Sequence, residues 1–219
     1  MKTPSILIAC ECSGRVREAF RRRGWDAWSC DLKPAEDGSP YHLVGDALEA
    51  IRIGSWVDSW DAMIAHPVCR YLANSGVRWL VDKEGNINQE RWELAQLGAD
   101  FFRSLCEAPI RFRAIENPIQ HKYALQMHEQ GKATQYIQPW QHGHTESKAT
   151  GLWLYNLPKL VPSNVVYDEM MALPVAERNK VHRMPPGPER EANRSRTYQG
   201  IANAMADQWG AYMERELRV

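Results

Sequence analysis

The chain has 219 residues, 44% apolar and 25% charged, with a formal net charge of 0. Its length is sufficient for one domain with its own core, and its neutral balance is an indication against non-specific nucleic-acid binding, which usually needs a basic surplus. The five cysteines form no C-x-x-C pair, and no apolar stretch is long enough for a signal peptide or a membrane span. These features exclude a disulfide framework and a membrane protein as working hypotheses, and they predict a soluble cytoplasmic protein.

Short apolar runs alternate with amphipathic segments along most of the chain. The pattern predicts strands in 5–10, 26–32, 42–46, 60–67 and 111–118, an antiparallel pair in 133–140 and 148–155, and helices in 15–24, 88–107 and 200–217. Asn88 is the expected N-cap of the second of these helices. The stretch 161–196, rich in proline and charge, is predicted to be loop-like. This alternation predicts an α/β fold with a mostly parallel, seven-stranded sheet.

Polar residues follow the predicted strands at the points where the strands end. They are Glu11, Asp31, Asp46, the run from His66 to Cys69, and Glu116. Ligands of open parallel sheets bind at the carboxyl ends of the strands, so we expect these side chains to line one site. Local positive charge comes from two groups of arginines, at 15, 17, 21, 22 and 23 and at 183, 190, 194 and 196.

Cys69 is the first candidate for chemistry. A free cysteine is most often a small buried apolar side chain. Here it follows His66-Pro67 just past a strand and has polar neighbours, a setting in which a thiolate can be stabilised. Glu116-Asn117-Pro118 can be a simple turn, but beside Cys69 it would place a carboxyl group next to a nucleophile.

Asp31 and Asp46 can be helix caps, or they can bind the hydroxyls of a ribose, as acids after such strands often do. The first loop, ACECSGR (9–15), contains one glycine and lacks the G-x-G-x-x-G fingerprint. A pyrophosphate cofactor is therefore disfavoured, whereas a cofactor with ribose and adenine but no phosphate is compatible.

The ordered series of an acid after the second strand, GDA (45–47), HPVC…ANSG (66–76), ENP (116–118) and GIANAMADQWG (200–210) resembles the DNA cytosine carbon-5 methyltransferase family. It resembles most closely the compact phage and prophage proteins of that type. The resemblance covers the chain except for roughly 161–193. It implies a Rossmann-like methyltransferase fold with helices on both faces of the sheet, S-adenosylmethionine as cofactor, cytosine-containing DNA as partner, and the cytoplasm of an infected or lysogenic bacterium as location.

Carried over to this chain, the resemblance makes Cys69 the nucleophile and Glu116 the group at the cytosine N3 edge. Its cofactor-binding residues are Glu11, Ser13, Gly14, Asp31, Asp46, His66, Pro67 and Asn203, and its substrate-binding residues are Arg70, Ser75, Asn117, Lys148, Arg194 and Arg196. The chemistry calls for a lowered Cys69 pKa and a raised Glu116 pKa. Residues 1–160 and 196–219 form the expected catalytic domain, and 161–195 stand where a longer target-recognition region is usual.

The sequence departs from the family pattern at three places. The first loop reads ECSG (11–14) where a phenylalanine and several glycines are usual. Val68 stands where a proline directly precedes the cysteine, and Lys148 is the one obvious cation where an Arg-x-Arg motif is usual. Other hypotheses stay open: the same chemistry on a free pyrimidine nucleotide or with a folate carbon donor, a non-catalytic DNA-binding lookalike, amino-group methylation, and a zinc site built from His142, His144 and a cysteine. No metal is expected, and the chain is expected to be a monomer or a weak dimer.

Overall fold

The computed structural model describes residues 2–57, 59–77, 80–185, 187 and 190–218, without the side chains of residues 55–57, 75, 182, 191 and 192. The strands are β1 Ser5–Ala9, β2 Asp26–Asp31, β3 His42–Val44, β4 Ala62–Ala65, β5 Phe112–Pro118, β6 Gln135–Ile137 and β7 Thr150–Tyr155. The helices are α1 Arg15–Arg22, α2 Ala47–Val57, α3 Asn74–Val77, α4 Gln89–Cys106, α5 Lys122–His128, α6 Tyr167–Ala172, α7 Val175–Arg178, α8 Lys180–Arg183, α9 Arg190–Ser195, α10 Gln199–Ala204 and α11 Gly210–Glu216.

The seven strands form one sheet in the order β3-β2-β1-β4-β5-β7-β6. Strands β1 to β5 are parallel, and β7 pairs antiparallel with both β5 and β6. The chain moves outward from β1 to β3 and then returns to place β4 on the other side of β1. This reversal of direction makes the crevice between the carboxyl ends of β1 and β4 the expected ligand site of a Rossmann-like sheet. The predicted fold class is confirmed.

Alternating residues of the central strands feed two separate cores. Ile6 and Ile8 of β1 pack on the face covered by α1, α10 and α11, whereas Leu7 and Ala9 pack on the face covered by α2, α4 and α5. The central strands β1 and β4 are buried along their whole length, as a parallel sheet with helices on both sides requires. Asn88 caps α4, because its side chain accepts a hydrogen bond from the Arg91 N–H.

The prediction of a loop-like stretch over 161–196 is wrong, because the segment contains the four short helices α6 to α9. Helices of four to six residues have too few turns to show an apolar periodicity, and the prolines between them concealed them further. The last predicted helix is also interrupted: residues Met205–Trp209 form a π-helical turn between α10 and α11. Within the residues described, no helix is both long and apolar enough to cross a membrane.

Two glycines in helices provide a matched test of the packing around the loop that follows β4. A Cβ at Gly76 in α3 would overlap the carbonyl oxygen of Arg70, whereas a Cβ at Gly98 in α4 would lie 3.7 Å from Leu72 Cδ2, an ordinary contact. We expect Gly76→Ala to lower the free energy of unfolding by about 2–3 kcal/mol and Gly98→Ala to raise it by about 0.5–1 kcal/mol. Urea denaturation measures both, and a neutral Gly76→Ala would contradict the close approach of α3 to this loop.

Candidate active site

The loop after β1 is held by a buried carboxylate at the start of α1. Glu11 accepts hydrogen bonds from the backbone N–H groups of Val16 (2.9 Å) and Arg17 (3.2 Å) and from the Ser13 hydroxyl (3.1 Å). Only 5% of Glu11 is exposed. Glu11 therefore has a capping role in this structure, because its carboxylate satisfies the first N–H groups of the helix. Its predicted contact with a cofactor stays a prediction.

Arg17, counted with the basic cluster in the sequence, is fully buried. Its guanidinium pairs with Glu18 and Asp37 and donates to the Ser29 hydroxyl, which connects α1 to β2 and to the loop after it. Gly14 has φ 70°, and a Cβ there would collide with this guanidinium. The tight turn at Ser13-Gly14 therefore needs a glycine at position 14, because a larger residue would displace the Arg17 guanidinium. Arg17 does not contribute to a nucleic-acid surface.

Asp31 ends β2 and Asp46 follows β3, so both acids lie on the same side of β1 in the sheet. Oδ1 of Asp31 accepts the Lys33 N–H (2.9 Å), and Oδ1 of Asp46 accepts the Leu48 N–H (2.7 Å). Burial raises the pKa of the Cys10 thiol, and the charges of Asp31, Cys30 and Asp46 raise it further. The three strand ends thus meet as predicted, and they form an acidic edge on one side of the β1–β4 crevice.

On the other side of the crevice lie the groups suited to covalent chemistry. His66, directly after β4, hydrogen-bonds Glu116 of β5 through Nδ1, at 3.2 Å from Oε2. Thr150, the first residue of β7, hydrogen-bonds the same carboxylate, and the charge of Lys148 acts on it. Lys148 Nζ donates to the Arg194 carbonyl at 2.8 Å. Cys69 lies close enough that the charges of Glu116 and Lys148 both act on its thiol. The structure therefore brings Cys69, Glu116, His66 and Lys148 together.

The electrostatics of the pair are opposite to those predicted. Burial, followed by the charge of Glu116, raises the pKa of the Cys69 thiol, and Lys148 and Arg194 only partly offset this increase. Burial alone would raise the pKa of Glu116, but the hydrogen bond from His66 and the charge that this histidine carries when protonated, together with Lys148 and Thr150, lower it below its ordinary value. At neutral pH the pair therefore holds its proton on sulfur, with the carboxylate ionised.

Asn117, predicted to bind substrate, has in this structure the hydrogen bonds of a positioning residue. It is fully buried, its amide donates to the Pro67 carbonyl (2.9 Å), and its Oδ1 accepts from Gln120 (3.2 Å). Gln120 in turn accepts from His128 Nε2 (2.7 Å), and His128 Nδ1 accepts the Gln130 N–H. This chain of hydrogen bonds connects the loop of the nucleophile to the end of β5 and to α5.

Asn203 is not brought to the site. It lies on α10, where its Oδ1 accepts from Arg22 in the last turn of α1 and from Gln199, whereas the site lies at the first turn of α1. Arg194 is close enough to act on Cys69, Arg70 is exposed on the same loop as Cys69, and Arg196 is held by Glu36 and Asn193. The side chain of Ser75 lies outside the described part of the chain.

The zinc hypothesis finds no support in the part of the chain that the structure describes, which holds no group of three potential ligands. His142 is buried and bonds the Ser163 hydroxyl, and His144 Nε2 accepts the Gly200 N–H (3.0 Å).

Sequence reasoning missed Thr150. Its proximity to Glu116 follows from the antiparallel register that pairs it with Pro118, which only the pairing partners reveal. It also placed His66 with the cofactor and missed its bond to Glu116.

The residues present fit a cationic, adenosine-containing donor. Asp31 and Asp46 each direct one carboxylate oxygen to a local N–H, so the other oxygen can face a ribose or an amine. The acidic edge would repel a phosphate, and the start of α1 already holds the Glu11 carboxylate in place of an anion. A sulfonium with an adenosine group suits this charge distribution.

A comparison with protein families finds no match, and no curated protein matches the chain. Among solved structures, the chain is similar to the methyltransferase EhMeth of Entamoeba histolytica, with 14% identity and a TM-score of 0.47 over 75% of this chain. The match spans 58% of that chain, so less than two thirds of EhMeth is represented. The fold class therefore rests on the strand order and pairing, and the function rests on the chemistry of the site.

The reactivity of Cys69 tests the assigned charges. We expect the pH midpoint of its alkylation by iodoacetamide to lie above that of an ordinary thiol. Glu116→Gln should lower this midpoint and Lys148→Met should raise it, because the two side chains carry opposite charges. Mass spectrometry of the peptide that contains Cys69 measures its alkylation rate separately from the rates of the other cysteines. Shifts of the same sign in both variants would contradict the arrangement.

The hydrogen-bonded chain through His128 tests the support of the loop. Burial and Arg103 lower the pKa of His128 from 6.5 to about 4, so between these values the unfolded state binds the extra proton and stability falls as the pH falls. We expect this histidine to account for a loss of roughly 2–3 kcal/mol over that window. Because other histidines contribute with the same sign, the measurement is the difference in slope between wild type and His128→Asn. Equal slopes would show that His128 is protonated in the folded state.

Proposed function

We propose that this protein transfers a methyl group to carbon-5 of cytosine in DNA through a covalent adduct between Cys69 and carbon-6. The observation that carries the proposal is the meeting of Cys69, Glu116 and Lys148 beside the β1–β4 crevice. Carbon-5 of cytosine is a poor nucleophile, and addition of sulfur at carbon-6 places electron density on it. A site for this reaction needs one thiol, one proton-carrying group at N3 and a nearby positive charge.

The proton held by the Cys69–Glu116 pair suits the first step. As the Sγ–C6 bond forms, the thiol gives its proton to the Glu116 carboxylate, which passes it to N3, where negative charge develops. No proton is gained from or lost to water. The raised pKa of Cys69 and the lowered pKa of Glu116 thus describe a resting state that is charged on the carboxylate and neutral on sulfur.

Lys148 supplies the positive charge at the pyrimidine. Its ammonium has three N–H donors, of which one is directed to the Arg194 carbonyl, and a lysine cannot accept a proton from the ring while it is charged. A fixed cation near the ring stabilises the anionic character of the adduct. In this role Lys148 stands where the resemblance leads one to expect an Arg-x-Arg motif.

S-adenosylmethionine, when bound, supplies an electrophilic methyl group on a sulfonium. Asp31 and Asp46 would hold its ribose and adenine, and the acidic edge would attract its positive charge. Carbon-5 must then face this edge, whereas N3 faces Glu116. The order of the strand ends, with β2 and β3 on one side and β5 on the other, supports such a placement.

DNA is the proposed partner, with the target base turned out of the stack, which costs a few kcal/mol and least in single strands. Arg70 is exposed on the loop of the nucleophile, and Arg194 acts on Cys69 from the segment before α10. These two arginines are the proposed phosphate contacts. Arg196 is less suited, because Glu36 and Asn193 hold it.

Covalent trapping tests the proposal. The protein is incubated with S-adenosylmethionine and with duplex or single-stranded oligonucleotides that carry 5-fluorocytosine in varied contexts. Fluorine cannot leave as a cation, so the methylated adduct persists. We expect a mass-shifted adduct with wild type and with the control Cys106→Ser, whose thiol is buried at the end of α4, and none with Cys69→Ser.

Each other outcome overturns the proposal. Absence of an adduct on any DNA, with donor binding shown by calorimetry and an adduct on 5-fluorodeoxycytidine monophosphate, would indicate a free nucleotide as acceptor. An adduct with DNA that carries a carbon unit from a folate would show that a folate, and not S-adenosylmethionine, is the donor. Binding of DNA with neither adduct nor donor binding would indicate a non-catalytic protein.

A further inference from the structure

His66 has a buried ring nitrogen without a role in the chemistry above. Its side chain is 7% exposed, Nδ1 bonds Glu116 at 3.2 Å, and Nε2 is buried with no hydrogen-bond partner among the described residues. An unpaired buried polar atom destabilises a fold and is rare in native proteins. A group placed in this way beside a nucleophile therefore indicates a function for the free nitrogen.

The bond to Glu116 determines which nitrogen carries the proton. An ionised carboxylate can only accept a hydrogen bond, so Nδ1 must be the donor. In a neutral imidazole Nε2 then has the lone pair and is a proton acceptor. The carboxylate also stabilises the imidazolium that forms when Nε2 takes up a proton, as in other carboxylate–histidine pairs.

The strand order places His66 between the two sides of the crevice. β4 lies between β1 and β5, so His66 separates the acidic edge after β1, β2 and β3 from Glu116 after β5. In the proposed function N3 of cytosine faces Glu116, and carbon-5 faces the donor. Because His66 lies between these two positions in the sheet order, its side chain is the one expected to lie nearest to carbon-5.

We propose that Nε2 of His66 is the base that removes the proton from carbon-5 after methyl transfer, an inference that rests on the proposed function. The C5–H electron pair forms the C5–C6 double bond, the C6–Sγ bond breaks, and its electron pair returns to Cys69. The proton goes to Nε2 and then to water. The N3 proton returns through Glu116 to the thiolate, so that the site regains its resting state and one proton is released for each methyl group.

The other groups of the site already have a different role in this step. Glu116 faces N3, Cys69 is the leaving group, and Lys148 is a cation whose Nζ donates to the Arg194 carbonyl. Asp31, at the end of β2, and Asp46, just after β3, lie on the far side of β1 from His66. His66 is therefore the member of this set that offers a buried ring nitrogen, Nε2, with no partner in the described part of the chain.

His66→Asn tests the proposal, because asparagine can keep an N–H towards Glu116 near the position of Nδ1 and lacks Nε2. With 5-fluorocytosine DNA no C5 proton has to leave, so we expect this variant to form the methylated adduct at close to the wild-type rate. With ordinary cytosine DNA it should accumulate a methylated covalent adduct that wild type does not accumulate. Tritium release from [5-³H]cytosine DNA should fall by about 10²–10³-fold.

The matched control is His121→Asn, a histidine outside the site that caps α5 through its side chain and whose capping role asparagine can take. It should behave as wild type in all three measurements. Loss of trapping in His66→Asn with trapping retained in wild type would overturn the proposal, since His66 would then act before methyl transfer. Tritium release at the wild-type rate would also overturn it. Failure of the wild type to trap would instead refute the proposed function.

Discussion

One hydrogen bond, from the Asn117 amide to the Pro67 carbonyl, holds the two halves of the site together. It joins the end of β5, which carries Glu116, to the loop after β4, which carries Cys69. Because the groups are fully buried, the bond has no competition from water, and losing it would leave a carbonyl unpaired in the interior. The distance between Cys69 and Glu116 thus depends on the side chain of Asn117, whose hydrogen bonds go to neither of these two side chains. Its partners Gln120 and His128 extend the same support to α5.

The charge distribution separates the crevice into two regions although the chain as a whole is neutral. Acids collect at the ends of β2 and β3, whereas Lys148 and Arg194 lie beyond β5. Several arginines that look available in the sequence have structural roles: Arg17 is buried, and Arg23 pairs with Glu214. A count of basic residues therefore overstates the surface available to phosphate. The local field that remains is specific to the site.

The sequence was sufficient for the strands, their parallel arrangement and the meeting of their polar ends, because buried strands leave continuous apolar runs and parallel strands end at one edge. It was not sufficient to predict α6 to α9, because each of these helices is too short to show a repeating apolar pattern. The directions of the Cys69 and Glu116 pKa shifts were predicted with the wrong sign. Burial and the charge of Glu116 raise the pKa of Cys69, and His66 and Thr150, which come close to Glu116 only through strand pairing, lower the pKa of that carboxyl. Asn117 and Asn203 were assigned by motif position, and only the fold reveals the hydrogen bonds that their side chains make.

Two backbone carbonyl groups late in the chain hold side chains of the site. Arg15, at the start of α1, donates to the Thr197 carbonyl (2.8 Å), and Lys148 donates to the Arg194 carbonyl. During synthesis the nucleophile emerges more than a hundred residues before these carbonyls do. The cation that partly offsets the raised pKa of the thiol therefore gains its fixed position only when the last part of the chain has folded back. The growing chain carries Cys69 through most of its synthesis without an assembled active site.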